Sequence, residues 1–281
     1  MSEYDFANVL VAGPCNRFCS WCIGKALPAA TNVDNLDVFP PTGLEALIAV
    51  INEHHIPEVV LTGTISDPQL YRHEAALVRL LRERLHSRAR ISLHTNGVLA
   101  VKKFEVLALY DRACISFPSF VPDTYAAMMG STKVPDLARI AHESPIPIKV
   151  SCVVDAPNVD ERDPFLAECF RIGVRRVVFR KLFGETRSWP LPSSLAMRRP
   201  ARYFKGNPVY DLDGVEVTVW DFDASECRSV NLFPDGTLGT SYLLTRTVEL
   251  RTRGQGASQS LKSQRVAESP LFAATGGSSS R

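Results

Sequence analysis

The sequence predicts an α/β protein, an open six-stranded (β/α)6 partial TIM barrel with a C-terminal β-hairpin extension. Three observations support this fold class. Short apolar runs alternate with amphipathic helical stretches over roughly residues 6 to 182, which is typical of parallel strands covered by helices. A sixth apolar run ends the series. Beyond it, two alternating segments flank Gly-containing turns, as hairpins do.

Six apolar runs predict the barrel strands. Each is short and continuous, as buried parallel strands are. In order, the predicted strands are Phe6–Ala12, Glu58–Thr62, Arg90–His94, Ala113–Phe117, Pro147–Val154 and Arg176–Phe179. Because helical crossovers between parallel strands are right-handed, successive strands pair side by side and curl into an open barrel.

Helical periodicity fills the connections between these strands. In the first connection, Thr42 can cap a helix whose apolar residues lie on one face. The other predicted helices are Leu70–Ser87, Lys102–Leu109, Pro122–Met129, Pro135–His142 and Asp163–Ile172. The carboxyl ends of the strands then meet at one edge, where barrels of this class place their functional groups.

The residues after Leu182 break the alternation. Val209–Trp220 predicts a hairpin turning at Asp213 and Gly214, and Ser229–Leu244 predicts a second hairpin. We expect both to extend or plug the open side of the barrel. The predicted domains are residues 1–185 for the barrel, 186–250 for the hairpin extension that covers it, and 251–281 for a disordered polar tail.

Composition and charge indicate which class of protein and which partners the sequence favours. The chain has 281 residues, of which 45% are hydrophobic and 22% charged, with a formal net charge of +2. These values are ordinary for a globular protein and predict no nucleic-acid or membrane partner. No apolar segment resembles a signal peptide or is long enough to span a bilayer. We therefore expect a cytoplasmic protein whose cysteines stay reduced.

Three cysteines stand together directly after the first predicted strand. Cys15, Cys19 and Cys22 follow a C-x3-C-x2-C spacing. Most [4Fe–4S] clusters are held by four cysteine thiolates, so three ligands with no evident fourth predict a cluster with one iron left open. A structural zinc site would need a fourth protein ligand. It stays open as an alternative, as do cysteines that only pack.

This motif, with Trp21 before its third cysteine, resembles the signature of the radical S-adenosylmethionine (SAM) superfamily. The resemblance implies one [4Fe–4S] cluster on the three cysteines, with SAM bound at the open iron. It implies that an electron from the cluster cleaves SAM to a 5′-deoxyadenosyl radical, which abstracts hydrogen from a substrate. It also implies an electron donor of the flavodoxin or ferredoxin type as a partner.

Short motifs at the ends of later strands extend the resemblance. Over roughly residues 6 to 185, the chain is similar to the molybdenum-cofactor GTP cyclase group. That group holds the SAM amino group with Thr-Gly-Gly-Glu-Pro after the second strand. Here Thr62 and Gly63 match, and Asp67 is the candidate substitute for the glutamate. The residues implied for SAM binding are Trp21, Thr62, Gly63, Asn96, Ser116 and Leu182.

The remaining cysteines separate this chain from the cyclase. That enzyme carries a second cluster on three further cysteines, whereas here Cys114, Cys152, Cys169 and Cys227 are scattered over different predicted elements. Scattered free cysteines usually pack as small apolar residues. We therefore predict a single cluster and a reaction other than GTP cyclisation.

Strand periodicity places polar side chains inside the barrel. Because side chains alternate faces along a strand, His94, Cys114, Lys149 and Arg180 are expected to point into the lumen. Lys149 and Arg180 would make the lumen cationic and suited to a carboxylate or a phosphate. The alternative is that Lys149 pairs with Asp155 and only closes the lumen.

The sequence thus predicts a radical SAM enzyme that acts on a small polar or anionic metabolite. His94, Lys149 and Arg180 are candidates for substrate orientation or proton delivery, and Cys114 for hydrogen-atom donation. A peptide-modifying enzyme of the same superfamily and a non-catalytic iron–sulfur protein are the alternatives. The arginines between residues 79 and 90 are interpreted as a solvated helix face or as a docking patch for the electron donor.

Overall fold

Six parallel strands form the centre of the fold in a computed structural model that describes residues 2–242 and 245. They are Phe6–Val11 (β1), Glu58–Gly63 (β2), Arg90–Thr95 (β3), Arg112–Ser116 (β4), Ile148–Val154 (β5) and Arg176–Lys181 (β6). Each pairs in parallel with the next in chain order. The predicted open six-stranded (β/α)6 partial TIM barrel is therefore confirmed.

Strands from the C-terminal region extend this sheet at both edges. They are Arg202–Phe204 (β7), Asn207–Leu212 (β8), Val215–Trp220 (β9), Ser229–Leu232 (β10) and Leu238–Gly239 (β11). β9 lies parallel to β6, and β8 pairs with β9 in antiparallel fashion. β10 lies parallel to β1 and pairs with β11. The hairpin predicted over Val209–Trp220 is confirmed, and the one predicted over Ser229–Leu244 is confirmed as far as Gly239, with Leu244 outside the described residues. Both hairpins extend the sheet.

Helices occupy most of the connections between the parallel strands. The α-helices of the described residues are Leu44–Glu53 (α1), Glu74–Arg84 (α2), Phe104–Leu107 (α3), Pro122–Met129 (α4), Leu137–Glu143 (α5), Arg162–Arg171 (α6) and Ser193–Ala196 (α7). None of them is both long and apolar enough to cross a bilayer.

Two helix starts differ from the sequence-based prediction. Thr42 does not cap α1, because Gly43 takes the N-cap position with a left-handed φ of 81°. The helix predicted from Leu70 begins only at Glu74, because the preceding residues form a separate 3-10 turn. The side chain of Asp67 caps that turn.

The core lies between the sheet and the helices. Val9, Leu61, Leu93 and Ile115 come from four successive strands, and all are fully buried on the face that the helices cover. Since side chains alternate along each strand, the opposite face lines the lumen. The domain boundaries predicted near residues 185 and 250 stay predictions, and the tail predicted at 251–281 lies outside the described residues.

Candidate functional site

The loop with the three cysteines follows β1, at the carboxyl edge of the parallel strands. Arg17 is buried and fixes this loop: its Nε donates to the Tyr125 hydroxyl at 3.2 Å, and its Nη1 donates to the Asn16 carbonyl at 2.8 Å. The N–H of Phe18 donates to the carbonyl of Met129 at 3.0 Å. The loop is therefore held by α4 as well as by the sheet.

A further contact ties this loop to the end of β3. The side-chain amide of Asn96 donates to Asn16 Oδ1 at 2.7 Å, and Asn96 Oδ1 accepts from the N–H of Val98 at 3.1 Å. Asn96 thus positions the cysteine loop. The sequence analysis did not identify Asn16 or Arg17, because no local pattern marks a residue whose partners lie in distant elements.

The three thiols lie on this loop, and each contacts different atoms. Cys22 Sγ is 3.4 Å from the carbonyl oxygen of Thr64, and Cys19 Sγ is 3.7 Å from Met129 Sδ. Burial, reinforced by the nearby sulfurs of Cys22 and Cys15, raises the pKa of Cys19 to about 12. Burial also raises the pKa of Cys15. Both are protonated at neutral pH unless a metal ion displaces the proton.

The donor set fits an iron–sulfur cluster, although the thiols do not converge on one point. Within residues 2–242 and 245, no three histidine, cysteine, aspartate or glutamate side chains are arranged to hold a metal ion. Thiol sulfur is nevertheless the ligand that such clusters use. The Nε1–H of Trp21, between the second and third cysteines, is buried and has no hydrogen-bond partner among the described residues. A buried orphan donor indicates a site that another group completes.

The other residues implied for SAM binding share this edge of the barrel. Thr62 and Gly63 end β2, Ser116 ends β4, and Leu182 directly follows β6. All four are half-buried. Gly63 allows the next loop to approach closely, because a Cβ at this position would lie 1.7 Å from the carbonyl oxygen of Ser66. All four therefore lie at the same edge of the sheet as the cysteine loop.

Asp67, the candidate substitute for the family's glutamate, is held by hydrogen bonds within the protein. It is buried, and its carboxylate accepts hydrogen bonds from the Thr95 hydroxyl at 2.9 Å, the Asn96 N–H at 2.6 Å and the Gln69 N–H at 2.9 Å. Both oxygens are therefore engaged inside the protein. Asp67 therefore shapes the end of β3, and its assignment as a substitute for the family's glutamate stays a prediction.

The predicted lumen residues are brought together as strand periodicity requires. Cys114 is in register with both His94 and Lys149, and the three line one cavity of about 30 Å³, room for about one water molecule. Lys149 makes no ion pair or hydrogen bond with any described residue. Asp155 instead contacts Arg187 at 3.2 Å. The alternative pairing of Lys149 with Asp155 is therefore not formed.

Burial and positive charge set the protonation of these groups. Burial, together with the charges of Lys149, Arg180 and Arg112, holds the pKa of His94 well below its usual range. His94 is therefore a neutral imidazole at physiological pH, with one ring nitrogen that donates and one that accepts a hydrogen bond. Burial also lowers the pKa of Lys149, with the Cys114 thiol opposing the shift and Arg180 adding to it.

A second polar layer lies toward the amino edge of the strands. Glu58, at the start of β2, accepts from Arg112 Nε at 2.8 Å. Glu216 of β9 contacts Arg176 at 3.0 Å and Arg202 at 2.6 Å. The cations of this layer are thus balanced by carboxylates. These ion pairs were not predicted from the sequence, because they join strands that are far apart in the chain.

The arginine-rich face of α2 is partly neutralised. Arg82 pairs with Asp111 at 2.6 Å, and Arg84 pairs with Glu45 at 2.7 Å. Arg90 begins β3, at the edge of the sheet opposite the cysteine loop. These contacts favour the interpretation of a solvated helix face, because an electron donor docked near Arg90 would lie away from the cysteines.

The fold is similar to that of proteins solved with SAM bound. SuiB of Streptococcus suis bound to S-adenosylmethionine matches with a TM-score of 0.52 and 18% identity, over 67% of this chain and 43% of SuiB. SuiB bound to its precursor peptide SuiA matches with a TM-score of 0.51 and 18% identity, over 65% of this chain and 40% of that chain. The chain therefore spans about two fifths of the length of SuiB.

A third structure covers more of the chain. Native anSMEcpe with bound AdoMet and the Kp18Cys peptide matches with a TM-score of 0.54 and 13% identity, over 85% of this chain and 74% of that chain. At these identities the likeness shows a shared fold. The chain matches no protein-family model and no curated protein in sequence.

Proposed function

We propose that this chain is a radical SAM enzyme that holds one [4Fe–4S] cluster on Cys15, Cys19 and Cys22 and binds SAM beside it. The observation that carries the proposal is the C-x3-C-x2-C loop at the carboxyl edge of the barrel. The fold likeness to SAM-bound SuiB supports it. When bound and reduced, the cluster supplies the electron that cleaves SAM to a 5′-deoxyadenosyl radical.

The protein contributes the arrangement of the site. Arg17 and Asn96 hold the cysteine loop against α4 and β3. Trp21, Thr62, Gly63, Asn96, Ser116 and Leu182 are the residues that we propose for SAM. The Asn96 amide is already used within the protein, so its proposed role toward SAM is indirect. A flavodoxin or ferredoxin would supply the electron.

The lumen residues are proposed to act on a small polar or anionic metabolite. Lys149 and Arg180 provide positive charge without a carboxylate partner among the described residues. The neutral His94 is proposed to orient a substrate group by a hydrogen bond or to deliver a proton from its ring N–H. Cys114, adjacent to both His94 and Lys149, is the candidate hydrogen-atom donor. The substrate would enter from the carboxyl edge, which carries the cysteine loop.

The test is anaerobic reconstitution with iron and sulfide, reduction with dithionite, and measurement of 5′-deoxyadenosine formed from SAM. We expect product from the wild type and none from Cys19→Ala. Cys169→Ala is the matched control, because Cys169 is a buried thiol in α6 outside the loop, and it should retain activity. A well-formed cluster that never cleaves SAM, even with cell extract as a substrate source, would favour the non-catalytic iron–sulfur role.

A peptide-modifying enzyme is the second candidate. Its support is that matching structures carry peptides: SuiA on SuiB and Kp18Cys on anSMEcpe. The unpaired Lys149 and Arg180 favour a small anion instead. Mass spectrometry of peptides and of metabolites after incubation with SAM would separate the two, since a mass shift on a peptide would overturn the small-molecule assignment.

A further inference from the structure

Two buried hydrogen-bond donors lie side by side where β6 meets β9. Arg180 of β6 is in register with Trp220 of β9, so their side chains leave the same face of the sheet. Arg180 Nε and Trp220 Nε1 are both buried, and neither has a hydrogen-bond partner among the described residues. Buried donors of this kind are costly unless an acceptor that is not part of this chain satisfies them.

A neighbouring arginine on the same strand does form an ion pair with a carboxylate. Arg176 lies four positions before Arg180, on the same face of β6, and its guanidinium contacts Glu216 at 3.0 Å. Glu216 is four positions before Trp220 on β9. β9 thus presents a carboxylate to the first arginine and an indole N–H to the second. Arg180 and Trp220 therefore form a pair of hydrogen-bond donors, and the buried N–H of each has no acceptor among the described residues.

Aromatic rings lie beside this pair. The Arg180 guanidinium carbon lies 6.0 Å from the centroid of the Phe222 ring, which is 6.4 Å from the Trp220 ring and 6.5 Å from the Phe183 ring. Phe204 of β7 contacts Trp220 from its other side, at 6.2 Å. The Phe222 ring face adds a cation–π contact to the Arg180 guanidinium.

We propose that Arg180 and Trp220 together bind one oxyanion group of the substrate, a carboxylate or a phosphate. The guanidinium provides charge and the Nε–H, and the indole provides a second N–H. An oxyanion has several acceptor lone pairs, so one group can satisfy both donors. This proposal rests on the proposed function in one respect, because that function identifies the ligand as the substrate of an enzyme. It assigns a binding role to Trp220 and hence to the C-terminal hairpin.

The experiment is calorimetric titration of the reconstituted full-length protein with inorganic phosphate and, separately, with acetate, in a chloride buffer. Saturable binding of at least one probe is expected. Trp220→Phe keeps an aromatic ring at this position and removes the indole N–H, so it should weaken binding of that probe roughly tenfold, as loss of a hydrogen bond to a charged group does. Arg180→Lys keeps the charge but loses the paired donor geometry and should weaken it at least as much.

Trp189→Phe is the matched control. The Trp189 Nε1 is also buried without a partner, but its ring stacks 4.5 Å from the guanidinium of Arg187 rather than on β9. This variant should bind the probe as the wild type does. Tighter binding of phosphate than acetate would identify a phosphorylated substrate, and the reverse a carboxylate. Absence of saturable binding, or equal affinity in wild type and Trp220→Phe, would overturn the proposal.

Two further measurements distinguish the possible failures. If Trp220→Phe weakened SAM binding and left both probes unchanged, the oxyanion would be the carboxylate of SAM and the substrate assignment would be wrong. Formation of 5′-deoxyadenosine is measured on the same preparations. Its absence in the wild type with intact probe binding would contradict the proposed function and leave the oxyanion site standing.

Discussion

The two ends of the barrel lumen hold similar cations in opposite states. Toward the amino edge, Arg112 has Glu58, and Arg176 has Glu216. Lys149, in the same cavity as Glu58, and Arg180 make no ion pair with a carboxylate of the described residues, although the charge of Lys149 contributes to the lowered pKa of Glu58. Balanced charges inside a protein support its structure, whereas unbalanced ones cost stability and persist where a ligand uses them. We expect this difference to separate the part of the lumen that closes the barrel from the part that binds a ligand.

The largest expected effect comes from breaking a pair at the amino edge. Arg112→Met would leave the half-buried Glu58 without its partner, since Glu58 exposes only 17% of its side chain. We expect the free energy of unfolding to fall by about 3 kcal/mol, as loss of one partner from a buried pair does. Urea denaturation of the unreconstituted protein measures it, and a loss below that of Lys149→Met would refute the comparison.

A smaller effect is expected from Glu58→Gln, and it should depend on pH. Burial would raise the pKa of Glu58, but hydrogen bonds from Arg112 and Ser92 outweigh it and hold the pKa below its ordinary value. The stabilisation is therefore present above the ordinary glutamate pKa of about 4.3 and is lost as the pH falls through the lowered folded value. The difference in unfolding free energy between wild type and variant should be about 1 kcal/mol at pH 7 and shrink at pH 3.

That prediction is checked by paired urea titrations at the two pH values. A difference that grew on acidification would mean that the Glu58 carboxyl is stabilised in its protonated form. Such a result would remove Glu58 from the balanced layer.

The smallest change in stability is expected at Lys149. Lys149→Met removes a desolvated cation that has no partner, so the free energy of unfolding should stay within about 1 kcal/mol of the wild type or rise. The same variant should bind phosphate or acetate more weakly. A large loss of stability, comparable to that of Arg112→Met, would show that Lys149 has a structural partner and would contradict the distinction between the two sets of cations.

The sequence was sufficient to predict the features that depend only on neighbouring residues. Strand periodicity placed His94, Cys114 and Lys149 on one face, because alternation needs only neighbouring residues. The hairpin turn at Asp213 and Gly214 was equally predictable, since both residues take positive φ values, 53° and 85°.

Contacts between residues far apart in the chain could not be predicted in this way. Nothing near Asp67 reveals that Thr95 and Asn96 occupy its carboxylate, because that contact exists only once β2 and β3 lie together. No sequence pattern indicated Trp220 as a binding residue either, because its register with Arg180 depends on the pairing of β9 with β6. The cysteine spacing, by contrast, predicted chemistry directly, since ligand type and separation are properties of the chain itself.

The pairing of β10 with β1 makes the order of synthesis matter. Asn8 donates to Asn231 at 2.7 Å across 223 residues, and β1 has one of its two strand neighbours only after the ribosome has made residues 229–232. A nascent chain ending near residue 185 would expose β1 and β6 as open edges, which are templates for aggregation. The strand that leads into the cysteine loop is therefore among the last to be enclosed, and its edge stays unpaired until late in synthesis.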